Sequence, residues 1–128
     1  MIYTSYLSNI KNLPKDSYII LITRYNKVKE TENIKWNINL SPSKKLLGDY
    51  KNNKVTIKGY TERYLNEIQN NKLAMNSIKN ILNMDKNNTI FLVCYEKDYT
   101  MCHRTLLGRL LKKIGGNFQG EYKTWKMI

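Results

Sequence analysis

Four side chains able to bind or transform a ligand fall within eleven residues: Cys94, Cys102, His103 and Arg104. They include both cysteines, the sole histidine and one of the four arginines in a chain of 128 residues. A thiol at a helix start beside a guanidinium ionises readily and becomes a nucleophile. An imidazole at the same place can pass protons to and from a ligand. Arg104 offers a planar fork for phosphate or carboxylate, and Glu96 adds a carboxylate that could hold a ribose hydroxyl or act as a base. Cys102, His103 and Glu96 are therefore the candidate catalytic groups, and Arg104 a candidate ligand-binding one.

Each also has a plainer reading. Cys94 ends an apolar run and reads first as a small core residue. His103 could do no more than bond a loop carbonyl, and Glu96 could be a surface charge. Zinc is a poor fit to the spacing. Three donors are too few for a closed site, and neighbouring Cys102 and His103 are not expected to converge on one ion. No metal and no cofactor is expected. A Cys94–Cys102 disulfide lacks the two-residue spacing of a redox pair.

The elements that must position these groups follow from hydrophobic patterning. Tyr18 to Thr23 and Thr89 to Cys94 are nearly continuous apolar runs, which suits strands buried on both faces of a parallel sheet. Ile2 to Tyr6 supplies a third strand and Tyr122 to Met127 a fourth, at an edge. Ser41-Pro42-Ser43 reads as a helix entry, with Ser41 capping and Leu46 and Leu47 facing inward. Thr61 opens a second helix through Tyr64, Leu65 and Ile68. A third runs through Leu73, Met75, Ile78, Ile81 and Leu82 to Asn87-Asn88. The last starts near Thr100, buries Leu106, Leu107, Leu110, Leu111 and Ile114, and ends at Gly115-Gly116.

Residues 25 to 40 form a long polar connection containing Trp36, a length often tied to function. The fold expected is a small single-domain three-layer α/β protein with a mostly parallel sheet flanked by helices. Cys102 and His103 then sit at the first turn of the last helix, above the carboxyl end of the strand that finishes at Cys94. Ligands bind open α/β sheets at that edge, and a helix start favours an anion. Arg24, following the Tyr18–Thr23 strand, reaches the same crevice.

The composition is globular, at 41% hydrophobic and 25% charged residues. No apolar run approaches the roughly 20 residues of a membrane-spanning helix, no secretory signal is evident, and two cysteines in such a chain read as reduced thiols in the cytoplasm. The charge of +12, from 22 basic and 10 acidic residues, suits nucleic acid or phosphate-bearing ligands. The lysines are scattered, however, and a compositional bias toward Lys, Asn, Ile and Tyr gives the same total without a partner.

The pattern Cys94-Tyr95-Glu96-Lys97, a short loop, then Cys102-His103-Arg104 resembles the bacterial and phage proteins grouped as domain of unknown function 488. Leu40-Ser41-Pro42-Ser43-Lys44-Lys45-Leu46-Leu47, Asp49-Tyr50-Lys51 and Tyr60-Thr61-Glu62-Arg63-Tyr64 are similar to that family too. The resemblance implies a compact α/β fold with the motif residues around one site. It nominates Ser43, Tyr50, Tyr60, Tyr64, Cys94, Glu96, Cys102, His103 and Arg104, and supplies no activity. The loop Asp98-Tyr99-Thr100-Met101 departs from the family, where Gly or Pro is common.

Three functions compete. The first is an enzyme, or enzyme-derived binder, of a nucleotide-like or other phosphorylated ligand. In it Arg104 and Arg24 hold the anion and Tyr50, Tyr60 and Tyr64 wall the pocket. The second is a nucleic-acid-binding accessory protein of a mobile element, with some of the ten tyrosines stacking bases. The third is a non-catalytic phage modulator of a host defence protein.

Overall fold

The structure, a computed structural model, describes residues 1–96 and 102–123. Five strands form one sheet, β1 (Ile2–Tyr6), β2 (Tyr18–Leu21), β3 (Ile34–Trp36), β4 (Ile90–Cys94) and β5 (Phe118–Glu121). Their order is β3-β2-β4-β1-β5 and every pairing is parallel. The continuous apolar runs are β2 and β4, two of the three inner strands, as burial on both faces requires. Every residue of β4 is buried. No helix among the described residues is long and apolar enough to cross a membrane.

The pleat of β4 divides the interior. Ile90, Leu92 and Cys94 face a large core with Leu46, Tyr64, Ile68, Ile78, Ile81, Leu107 and Leu111. Those residues come from α1 (Lys44–Lys51), α2 (Ile57–Gln69), α3 (Lys72–Asp85) and α4 (His103–Lys113), so all four α-helices cover one face. Phe91 and Val93 face the other side, where Leu13, Ile19 and Leu21 pack with Leu7 and Ile10 of a 3-10 turn. Tyr3 stacks on Phe91 there, and Tyr122 meets both rings edge-on.

Several boundaries differ from the sequence reading, each for a local reason. The cap of α1 is Ser43, whose hydroxyl accepts from the Leu46 amide, rather than Ser41. Helix α2 begins one turn before Thr61, because Thr56 caps it through the Gly59 amide. The stretch 25–40 contains β3, an edge strand too short and too half-buried to leave a hydrophobic run. The last strand is Phe118–Glu121, upstream of the expected Tyr122–Met127 segment, of which residues 124–127 lie outside the described residues. The same holds for Thr100, the expected start of the last helix. Its end is as expected: the amides of Gly115 and Gly116 reach back to Lys112 and Leu111, and Gly115 takes a φ of 105°. Ile114, expected inside, is 45% exposed.

Gly108 lies where α4 crosses β5, and a Cβ there would sit inside the van der Waals envelope of the Phe118 ring. Gly108→Ala is expected to lower stability by about 1–3 kcal/mol through overpacking. A urea melt gives the value, and an unchanged midpoint would mean that α4 and β5 separate freely.

Candidate functional site

Strands β2 and β4 are neighbours in register, Leu21 opposite Val93, so their chains leave the sheet side by side. The Ile22 amide bonds the Val93 carbonyl at 3.0 Å, extending the pairing to the rim. Beyond it Thr23, Arg24 and Tyr25 follow β2, while Tyr95 and Glu96 follow β4. The Trp36 indole donates to the Thr23 carbonyl at 2.8 Å, and the Tyr95 hydroxyl donates to the Tyr25 carbonyl at 2.7 Å. These two bonds hold the exit segments of both strands.

Helices α1 and α2 close the opposite wall. Asp49 of α1 pairs with Arg63 of α2 at 2.8 Å, and Lys45 lies 3.7 Å from the same carboxylate. The hydrogen bond from Arg63 is the main cause that lowers the Asp49 pKa. The rings of Tyr50 and Tyr60 meet at 4.8 Å. Between these walls lies a cavity of about 400 Å³, lined by Thr23, Arg24, Tyr25, Leu47, Tyr50, Lys51, Tyr60, Tyr95 and Glu96, with Cys94, Cys102 and His103 at one end. A volume of this size suits a small molecule.

The two thiols form the floor of this cavity. Cys94 closes β4, and Cys102 is the N-cap residue of α4 with His103 as its first helical residue. All three are at least nine-tenths buried, and one donor atom from each lies within 4.8 Å of the others. His103 Nε2 lies 2.5 Å from the Ile22 carbonyl, which can only accept, so that nitrogen carries the proton. Nδ1 then carries the free lone pair and can only accept, 3.8 Å from both Cys94 Sγ and Cys102 Sγ. Cys94 Sγ also lies 3.3 Å from Nε2, so this sulfur sits against the ring edge between the two nitrogens. The loop-carbonyl bond expected as the plain role of His103 is therefore real, and it orients the ring rather than exhausting it.

Burial drives the Cys94 thiol up from its ordinary range. The hydrogen bond from Cys94 pulls the Cys102 thiol down to about 4, with His103 and the Arg104 amide helping. Convergence of the three donors corrects the sequence-based objection to a metal. Cys102 and His103 are adjacent in the chain, yet the helix turn directs both onto Cys94. Two chemistries are open to such a trio, nucleophilic attack by a thiolate and capture of a thiophilic cation.

Arg104 behaves differently from its expected role as an open anion fork. It is fully buried, its Nε and Nη2 bond Glu121 at 3.1 Å each, and Nη1 bonds the Glu96 carbonyl at 2.7 Å. Burial, the largest single influence, would lower its pKa, but the Glu121 carboxylate together with the two thiols raises it overall. Thr4 also donates to Glu121, at 2.7 Å. Arg104 thus locks α4 to β5 and holds the carbonyl of the cavity residue Glu96, so it positions the site without lining it.

Two further nominations are also structural. Ser43 caps α1 and bonds Glu67 of α2 through both its amide and its hydroxyl, beside a second hollow. Tyr64 is fully buried behind the floor, with its hydroxyl on the Leu40 carbonyl at 2.6 Å and its ring edge-on to His103. Burial raises its pKa well above the ordinary value, and raises that of Tyr60 as well. The site thus gathers Cys94, Cys102, His103, Glu96, Arg24, Tyr50 and Tyr60 in one cavity, and leaves Arg104, Ser43 and Tyr64 as its support.

Sequence reasoning missed Thr23, Tyr25, Lys51 and Tyr95. Their position just after β2, at the end of α1 and just after β4 was the available signal. Thr23 is notable because its hydroxyl is buried in the cavity wall with no hydrogen-bond partner among the described residues.

Fold and site together define a parallel α/β protein with a thiol–imidazole cluster at the carboxyl edge of its sheet. Residues 2–115 match a profile of domain of unknown function 488, described as the Active DUF488-N3 subclade (DUF488-N3a), and the chain belongs to this family. No curated protein and no solved structure was found to match it.

Proposed function

We propose that this protein binds a small, ring-bearing phosphorylated ligand of nucleotide type and processes it on the Cys94–Cys102–His103 floor. One observation carries the reading. A single cavity joins the thiol–imidazole floor to two cations, Arg24 and Lys51, four tyrosine side chains and a buried hydroxyl with no partner among the described residues. Tyrosine faces stack planar rings, while arginine and lysine hold phosphate oxygens. Glu96, on the same wall, is a carboxylate suited to a sugar hydroxyl.

Thr23 makes the reading sharp. A buried hydroxyl without a partner costs stability, and replacing it by a methyl group of the same shape is neutral or favourable. Thr23→Val is therefore expected to leave the free protein as stable as before, or about 1 kcal/mol more stable. Rotated toward the cavity, the hydroxyl becomes a donor to the bound molecule, so the same change weakens binding by roughly 5–10-fold, about 1 kcal/mol.

Calorimetry against purine and pyrimidine nucleoside monophosphates tests both effects, with inorganic phosphate and the free nucleosides as controls. Binding by the nucleotides, and weaker binding by either half alone, supports the reading. Equal heats with wild type and Thr23→Val, or none with any compound, reject it. A single-stranded oligonucleotide titrated at two salt concentrations separates the second reading, because phosphate-backbone binding falls steeply with salt.

A further inference from the structure

The floor has the geometry of an open metal site. We infer that Cys94 Sγ, Cys102 Sγ and His103 Nδ1 hold one thiophilic divalent cation of the zinc type, with its fourth position facing the cavity. Metal–sulfur and metal–nitrogen bonds near 2.3 and 2.0–2.1 Å place tetrahedral donors roughly 3.5–3.8 Å apart. Nδ1 stands 3.8 Å from each sulfur, and the two sulfurs lie within 4.8 Å of each other. Cys94 Sγ lies nearer Nε2, at 3.3 Å, than Nδ1, so metal binding turns the Cys94 side chain to another rotamer, on the Nδ1 side of the ring.

The support around the donors is of the kind metal sites use. A ligating histidine commonly donates its second ring N–H to a carbonyl or carboxylate, which fixes the tautomer and makes the other nitrogen a better donor. Ile22 supplies that carbonyl to Nε2. Two sulfurs and one imidazole select a borderline-soft ion over magnesium or calcium, which prefer oxygen. Three protein donors with an open fourth position is the arrangement of catalytic zinc, whereas structural zinc is closed by four. The donor trio lines the cavity, so the fourth position is accessible to water or to the bound molecule. On this assignment Cys102 is a ligand and not a nucleophile.

This inference rests on the cavity being the working site, and cobalt distinguishes the two. Full-length protein is reduced, stripped with chelator and titrated anaerobically with Co²⁺. The expected result is one cobalt per chain, with a near-ultraviolet sulfur-to-cobalt band and the intense visible bands of four-coordinate cobalt. Zn²⁺ displaces it. Cys102→Ser and Cys94→Ser each weaken binding by more than the 10–100-fold typical of losing an outer-shell partner, and each loses near-ultraviolet intensity.

Imidazole, added as a small competing ligand, shifts the visible bands through the open position. Weak octahedral bands, or binding that Cys102→Ser leaves intact, would falsify the assignment. Because these spectra are read on wild type, instability of a serine variant does not blunt the test. Nucleotide heats that persist in the metal-free protein, alongside a failed cobalt titration, would remove the metal and keep the cavity's function. A four-coordinate cobalt spectrum without nucleotide binding would do the reverse.

Discussion

Arg104→Ala is expected to cost about 3–5 kcal/mol, the penalty for removing one partner of a buried ion pair and leaving the other charged and dry. Both side chains are nearly inaccessible, 0% for Arg104 and 6% for Glu121, so water cannot take over. Against a typical total of roughly 5–15 kcal/mol, the variant sits near the edge of folding at room temperature. Arg104→Lys does not rescue it, because an ammonium cannot fork across both oxygens and still reach the Glu96 carbonyl.

Glu121→Gln loses less, since the amide keeps one acceptor for the guanidinium and for the Thr4 hydroxyl. Urea melts of the three variants give this order. Equal, small losses in all three would mean that the pair is an ornament of the surface and that α4 is held in some different way. The consequence reaches function, because the Glu96 carbonyl is held by Arg104 Nη1. Loosening Arg104 frees one lip of the cavity.

Arg24→Ala and Lys51→Ala should act in the opposite manner, on affinity and not on stability. Arg24 is half-buried, Lys51 exposed, and both line the cavity. A hydrogen bond to a charged group contributes about 1.5–3 kcal/mol, so each substitution is expected to weaken a nucleoside monophosphate by roughly 10–100-fold and to leave the melting temperature unchanged. The free nucleoside, lacking phosphate, should bind wild type and both variants alike. Calorimetry with the matched pair of ligands separates a phosphate contact from a ring contact. A loss that is equal for nucleotide and nucleoside would place the cations away from the phosphate.

The contrast between Arg24 and Arg104 marks where sequence reading works and where it stops. Strands β2 and β4 were legible because short apolar runs bounded by polar turns suit a covered sheet and little else, and β1 followed as a short segment rich in tyrosine and threonine. Strand β3 was not, since two half-buried residues on either side of an exposed lysine carry no periodic signal in a polar stretch. The expected last strand fell too late, because Phe118-Gln119-Gly120-Glu121 mixes one apolar residue with polar ones and a glycine at positive φ.

The convergence of the candidate site was legible from Cys94, Cys102 and His103, as these rare residues bracket one strand-to-helix junction. Whether an arginine beside them faces solvent or a buried carboxylate was not legible, because Glu121 lies 17 residues further on and only the pairing of β5 with β1 brings it near. Ser43 and Tyr64 support the site instead of lining it for a related reason. A cap and a buried tyrosine are polar residues next to a site, and composition does not say which way they point. Thr23 was invisible for the converse reason, being a threonine at the end of an apolar strand.

Amide chemical-shift mapping during a titration with a nucleoside monophosphate tests the central claim most directly. The predicted result is a compact set of shifts at residues 23–25, 47–51, 94–96 and 102–103, moved by Arg24→Ala to roughly 10–100-fold higher ligand concentration while the rest of the spectrum is preserved. Shifts scattered over the lysines of the outer surface, or the same shifts at an unchanged ligand concentration in Arg24→Ala, would contradict it.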